Sequence, residues 1–200
     1  MSTDWSRVAA WYDQLVGGGG SEYHRHVVLP GVQKLLGDVK GKRILDVACG
    51  QGVLCRILAQ QGAEVTGVDA AAELIEAARR YSNLPFQYHV ADARNLEFLP
   101  ADHFDAATCV LAIQNISPIQ GVFAGVSRSL KPGGRFIIVM MHPCFRGAKE
   151  TSWGWDDARK VQYRRVDRYL IPRKAPIFTS PGRKDGTYTW TFHKPLQDYV

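Results

Sequence analysis

Residues 43–52, RILDVACGQG, followed by residues 64–69, EVTGVD, decide the reading of this chain. The first apolar run ends in a glycine-bearing turn, and the second ends in an acid. That is the outline of parallel strands whose carboxyl ends face a nucleotide-like ligand. Gly50 and Gly52 lack a side chain and so let a ligand approach the main chain closely. The turn begins like the GxGxxG fingerprint of dinucleotide sites, but Cys55 stands where that pattern has Gly or Ala. Asp46 beside the turn would also repel a pyrophosphate, whereas it suits a ligand with a cationic amino acid end. Asp69, at the tip of the second strand, can accept charge-assisted hydrogen bonds from ribose hydroxyls, each worth about 1.5 to 3 kcal/mol.

Outward from this pair, strand and helix patterns alternate from residue 42, which favours parallel pairing with helices on both faces. Strands are expected at 43–49, 64–69, 86–91, 104–113 and 135–141, and helices at 53–61, 71–81 and 119–130, the last stopped by Lys131, Pro132, Gly133 and Gly134. The fold class is therefore α/β, a doubly wound, mostly parallel sheet. Residues 4–16 predict a first helix, with Trp5, Val8, Ala9, Tyr12 and Val16 at helical spacing. Gly17 to Gly20 break it, and a second helix spans 22–36 with an interruption at Pro30 and Gly31. These two helices are expected to cap the site.

The 200 residues are 46% hydrophobic and 22% charged, enough for one sizeable core in a single domain. Within it, residues 1–41 form the helical cap, 42–141 the ligand-binding core and 142–200 an acceptor-side insertion. No apolar run approaches the roughly 20 residues needed to cross a bilayer, and the N-terminus lacks signal-peptide features, so a cytoplasmic protein is expected. Cys49, Cys55, Cys109 and Cys144 show no CxxC spacing and read as free thiols, and no metal site is expected. Residues 142–200 hold 12 of the 25 Lys and Arg but 6 of the 19 Asp and Glu, which accounts for the whole net charge of +6. The basic character belongs to this last segment, where it can attract an anionic ligand.

Taken in order, DVACGQG, VTGVDA, VADA at 90–93, FDAATCVLAIQNI and LKPGGRFIIV resemble the successive motifs of class I S-adenosylmethionine-dependent methyltransferases. The likeness covers about residues 42–141 and is most similar to the small-molecule branch of ubiquinone and menaquinone methyltransferases. It implies a Rossmann-like sheet, S-adenosyl-L-methionine as methyl donor and a small-molecule acceptor. Carried over by motif, Asp46 and the turn from Gly50 to Gly52 would surround the amino acid part of the donor, and Tyr12 and Ala48 are expected among the cofactor-binding residues. Asp69 and Ala70 would hold the ribose, Asp92 and Ala93 would meet the adenine, and Val110, Leu111 and Ala112 would form the pocket floor. Ala48 stands where many members have glycine. Members also continue into an antiparallel pair completing a seven-stranded sheet, whereas this chain stops at Val200. A shortened sheet, with its fifth strand as an exposed edge, is the expectation.

Methyl transfer from a sulfonium needs chiefly alignment, which supplies about 7 to 11 kcal/mol in favourable cases. If the acceptor must lose a proton, His142 and then His193 are the candidate bases. Residues 160–169 and 187–192 have strand-like content and are expected to pair as a lid. Asn115, Trp153, Trp155 and Trp190 would shape the acceptor cavity, and Arg146 would bind an acidic group.

Two alternatives remain on sequence grounds. One is a protein of the same fold that binds the donor without turnover. The other is an RNA-directed enzyme using Arg164, Arg165, Arg168, Arg173 and Lys174 beside Tyr163, Tyr169 and Phe178. Against nucleic acid, the fourth strand lacks an (Asn or Asp)-Pro-Pro-(aromatic) ending, and Pro143-Cys144 lacks the surroundings of cytosine methyltransferases.

Overall fold

Two apolar faces on each central strand dictate a sheet covered by helices on both sides, and the chain builds one. The computed structural model describes residues 5–82, 87–146, 150–179 and 186–200. Five strands, β1 (Arg43–Val47), β2 (Glu64–Asp69), β3 (Gln87–Val90), β4 (Phe104–Val110) and β5 (Leu130–Val139), pair in parallel in the order β3-β2-β1-β4-β5. Side-chain alternation sends Ile44 and Ala106 to one face and Leu45 and Ala107 to the other. The first face is covered by helices α2 (Leu29–Leu36), α3 (Val53–Gln60) and α4 (Ala72–Arg80). The second is covered by α5 (Gln120–Ser129) and the loop carrying Leu96 and Leu99.

The winding reverses between β1 and β4. After β1 the chain moves through β2 to β3, then crosses to place β4 on the other side of β1. Loops leaving the two central strands therefore diverge, and a crevice opens at their carboxyl ends.

Several boundaries depart from the sequence expectation for physical reasons. The helix expected over 4–16 comprises a 3-10 turn, Ser6–Val8, and α1 (Ala9–Val16); its expected first residue and the expected start of the third strand at 86 lie outside the described residues. Pro30 does not interrupt the second helix. A π-helical turn, His24–Val28, precedes α2, with the Leu29 N–H donating to the His24 carbonyl, so the register shifts just before the residue that has no N–H to give. Strand β5 starts at Leu130, not Arg135: Leu130 pairs with Phe104 and Arg135 with Ala106, leaving Lys131 to Gly134 as a wide bulge opposite Asp105. Lys131 Nζ holds Asp105 Oδ1 at 2.6 Å, and Asp105 Oδ2 accepts the Arg43 N–H at 2.8 Å, fastening the bulge to the start of β1.

The lid strands do not pair with each other. A short helix, α6 (Pro143–Arg146), leads into β6 (Thr151–Asp156), which pairs antiparallel with β7 (Val161–Val166). Strand β8 (Arg173–Phe178) pairs antiparallel with β9 (Tyr188–His193). Alternation in a strand reveals its faces but not its partner, and each strand took a neighbour in sequence. Both hairpins form separate sheets, so β5 is an outer edge of the main sheet among the described residues.

Asp46 is 2% exposed. Oδ1 accepts the Thr108 hydroxyl of β4 at 2.7 Å, and Oδ2 accepts the Cys55 thiol of α3 at 3.3 Å. Burial raises its pKa to about 6, against the lowering effect of those two donors.

Two predictions follow from these contacts. A Cβ on Gly121 would lie 2.4 Å from the Arg94 carbonyl oxygen, whereas Gly31, exposed within α2, has open space around it. Urea unfolding is expected to show Gly121→Ala losing about 1 to 3 kcal/mol by overpacking, and Gly31→Ala gaining about 0.5 to 1 kcal/mol from helix propensity. For Asp46, the folded state binds its proton more tightly than the unfolded chain, so stability falls as pH rises from about 4 to about 6 and levels off above. Asp46→Asn keeps an acceptor for Thr108 and removes the buried charge. It is expected to abolish that part of the pH dependence and to raise stability at pH 7 by up to about 3 kcal/mol; an unfolding midpoint that drops at pH 7 would contradict this.

Candidate functional site

The crevice at the strand ends is an open cleft with a cavity of about 90 Å³ at its base. Four consecutive strand exits line it: Ala48 and Gly50 after β1, Asp69 and Ala70 after β2, Asp92 to Arg94 after β3, and Val110 to Ala112 at the end of β4. Asn115, Ile116 and Ser117 close one side, and Leu74 of α4 lies beneath Trp5 and Tyr12. Thus the expected Tyr12, Ala48, Gly50, Asp69, Ala70, Asp92, Ala93, Val110, Leu111 and Asn115 all border one cavity.

Asp69 organises it. Its carboxylate is 8% exposed; Oδ2 accepts the Gly50 N–H and Oδ1 the Ala71 N–H, each at 2.9 Å. Burial raises its pKa, and these amides pull it back down. Each oxygen retains lone pairs for a further donor, so a vicinal diol suits it. Near it the backbone is strained: Ala48 and Leu111, both in the lining, have φ of +57° and +54°. Non-glycine residues adopt this left-handed region at a cost and concentrate where strand ends meet a ligand. The same angle explains why glycine suits position 48, and why alanine, the smallest residue with a Cβ, replaces it. Tyr12 stacks edge-on against Trp5 at 5.6 Å. Its phenol is pushed up to about 12 by burial, with Asp69 and Asp46 adding to the shift, so it is neutral and does not act as a base at neutral pH.

Asp46 lines a smaller recess that adjoins the cleft and shares Tyr12, Ala48 and Val110 with it, while its Oδ1 accepts the Thr108 hydroxyl. Gly52 is absent from the cleft lining: with φ +72°, it is required by packing, since a Cβ there would sit 2.3 Å from Tyr88 Oη. The Asp92 carboxylate is already gripped by Arg94, whose Nε lies at 3.0 and 3.1 Å and Nη2 at 2.5 Å, and this pairing lowers its pKa. Arg94 Nη1 reaches on to the Ser117 carbonyl at 2.9 Å, which ties two walls of the cleft together.

Neither histidine borders the cleft. His142 is exposed, and its Nδ1 accepts the Cys144 N–H at 3.2 Å, a helix-start cap. His193 Nε2 lies 2.8 Å from the Tyr169 carbonyl in a second recess, which also contains Arg146. Trp153 and Trp155 project from β6 with more than half their surface exposed, Trp153 against the Arg164 guanidinium at 5.2 Å. Trp190 packs under Lys174 Nζ at 3.9 Å. None of the three tryptophans lines the cleft. Trp5, Leu74, Arg94, Ile116 and Ser117 were not anticipated. Trp5 had a signal, because it shares a helical face with Tyr12; Arg94 and Ser117 had none beyond proximity to strand ends.

Residues 45–138 match the family described as a methyltransferase domain. The chain is 34% identical over 154 residues to a demethylmenaquinone methyltransferase of Tropheryma whipplei, covering 74% of this chain and 57% of that protein. It is 35% identical over 104 residues to a ubiquinone biosynthesis O-methyltransferase of Xanthomonas oryzae, covering 50% of this chain and 44% of that protein. The chain thus spans about half the length of these relatives. A solved S-adenosylmethionine-dependent methyltransferase from Mesorhizobium loti superposes with a TM-score of 0.69 at 29% identity, covering 85% of this chain and 75% of that one. Residues 45–138 thus match a methyltransferase domain, and the five-stranded parallel sheet with its flanking helices has the Rossmann-like fold of class I methyltransferases.

Proposed function

We propose that the protein transfers a methyl group from S-adenosyl-L-methionine to a small-molecule acceptor by direct in-line displacement. The observation that carries this reading is Asp69, a buried carboxylate at the floor of an open cleft with lone pairs to spare. The donor set fits: a diol-accepting acid, two unhindered backbone turns at Ala48 and Gly50, and an apolar floor at Val110 to Ala112. The buried Asn115 Oδ1 has no hydrogen-bond partner, which leaves an acceptor at the cleft wall for a ligand donor. Relatives named for quinone methylation support a small-molecule acceptor.

S-adenosylmethionine brings its own activated leaving group, so the chain's work is to bind, align and exclude water. Asp69 accepts from the ribose hydroxyls. Ala48 and Gly50 let the amino acid end lie against main chain, and Ala93 supports the adenine ring. Trp5 and Tyr12 form an aromatic wall of the cleft against which the donor can pack. No helix of the described residues is long and apolar enough to cross a membrane. The four cysteines are free, which supports a reducing, cytoplasmic setting.

Calorimetry with S-adenosylhomocysteine is expected to give a Kd at least about tenfold weaker for Asp69→Ala, the loss of one or more charge-assisted hydrogen bonds. A folded Asp69→Ala protein with unchanged affinity would sink the ribose assignment. Release of S-adenosylhomocysteine across a panel of quinol, phenol and amine acceptors tests the turnover itself, and a folded, donor-loaded protein inert to the whole panel would favour binding without catalysis. His142→Ala is expected to change neither donor affinity nor turnover by more than about twofold.

A further inference from the structure

A second, shallow recess lies where β8, β9 and α6 meet. Three cations enter its lining: Arg146, Arg173 and Lys194. Arg173 is paired with Glu150 at 3.2 Å. The other two are not paired. Arg146 Nε donates to the Thr191 hydroxyl at 3.3 Å and has no carboxylate within 4 Å among the described residues. Lys194 Nζ donates to the Ile116 carbonyl at 3.2 Å and lies over the Phe192 ring; Asp198 attracts it from beyond 4 Å, so it too lacks a contact ion pair among the described residues. Burial lowers the pKa of both groups, the sign of cations stripped of water without a full counterion.

This recess shares a wall with the donor cleft. A 3-10 turn, Ile113–Asn115, presents Gln114 to the recess and Asn115 to the cleft, and Ile116 follows on the cleft side. The recess residues hold that wall in place. Thr191 Oγ1 donates to the Gln114 carbonyl at 3.2 Å, while Lys194 holds the Ile116 carbonyl.

We propose that the recess binds an anionic group, carboxylate or phosphate, on the acceptor, with Arg146 and Lys194 as its counterions and the Gln114 to Ile116 wall setting the reach to the cleft. This rests on the methyl-transfer reading for the identity of the bound molecule, but not for the binding itself. Two desolvated cations without carboxylate partners gain more from an anion than either would in water, and Arg presents a fork suited to two oxygens. A neutral molecule of the same size would leave both charges unpaired.

The probes are benzoate, phenyl phosphate and neutral benzyl alcohol, titrated calorimetrically at low ionic strength into the full chain, alone and loaded with S-adenosylhomocysteine. At least one anion is expected to bind, benzyl alcohol at least tenfold more weakly, and the preferred anion distinguishes carboxylate from phosphate. Arg146→Gln and Lys194→Gln are each expected to weaken that anion at least tenfold and to weaken S-adenosylhomocysteine much less, through the shared wall alone. Arg146→Lys keeps a charge and is expected to restore part of the loss, which covers the case where Arg146→Gln fails to fold. Equal binding of benzyl alcohol, no binding of either anion, or affinities unmoved in the folded variants would overturn the proposal. Loss of S-adenosylhomocysteine binding in the unaltered protein, with anion binding intact, would instead count against the methyl-transfer reading alone.

Discussion

One buried carboxylate braces the site. Asp69 accepts an amide from the turn after β1 and another from the turn after β2, so two loops leaving neighbouring strands are fixed to one point. A single unpaired amide at this depth would cost about 1 to 3 kcal/mol, and the acid satisfies two. The raised pKa shows that burial is nonetheless felt. Ligand hydroxyls would add donors to the same oxygens, so what holds the empty turns also recognises the diol. Binding and local order are coupled through this one residue.

Behind it, Asp46 serves the scaffold in a different way. It joins β1 to β4 through Thr108 and to α3 through Cys55, across the point where the winding reverses. The crevice exists because β1 and β4 send their chains in opposite directions, and Asp46 pins those two strands together just below the opening. Two acids at successive strand ends thus divide the labour, with one holding the strands and the other holding the loops.

The core of this arrangement was legible because its signals are local. Strand β2 runs over the residues expected, the parallel order follows from alternating strands and helices, and acids at strand tips pointed to the cleft. What depended on direction or on partner choice was not legible. Asp46 and Asp69 look alike in sequence, but Asp46 takes the Thr108 hydroxyl and borders the smaller adjoining recess, whereas Asp69 borders the cleft itself. The Asp92 carboxylate was expected to meet the adenine, and it does border the cleft, but alternation did not reveal that Arg94, two residues on, folds back over it. Strand-like residues 160–169 and 187–192 carried the alternation of strands, but nothing in alternation says which strand is opposite, and each closed onto its own neighbour. Pro30 signalled a break that a π turn absorbed, because one extra residue in the preceding turn removed the need for its missing N–H.

The acceptor side follows from the same reasoning about partners. From the sequence the basic surplus of residues 142–200 had no location, and six of the nine described cations there have partners: Arg159 on Asp156, Lys160 on Asp157, Arg164 on Trp153, Arg165 on Asp167, Arg173 on Glu150 and Lys174 on Trp190. That disposition weakens the case for a nucleic-acid surface, which needs basic groups free to meet phosphates along a strand. Arg146 and Lys194 are the exceptions in the recess, and both are tied by neutral contacts to the segment that separates it from the cleft. Charge held without a counterion, half out of water and one turn of chain from the cleft wall, is costly in a folded protein unless a ligand supplies the missing anion.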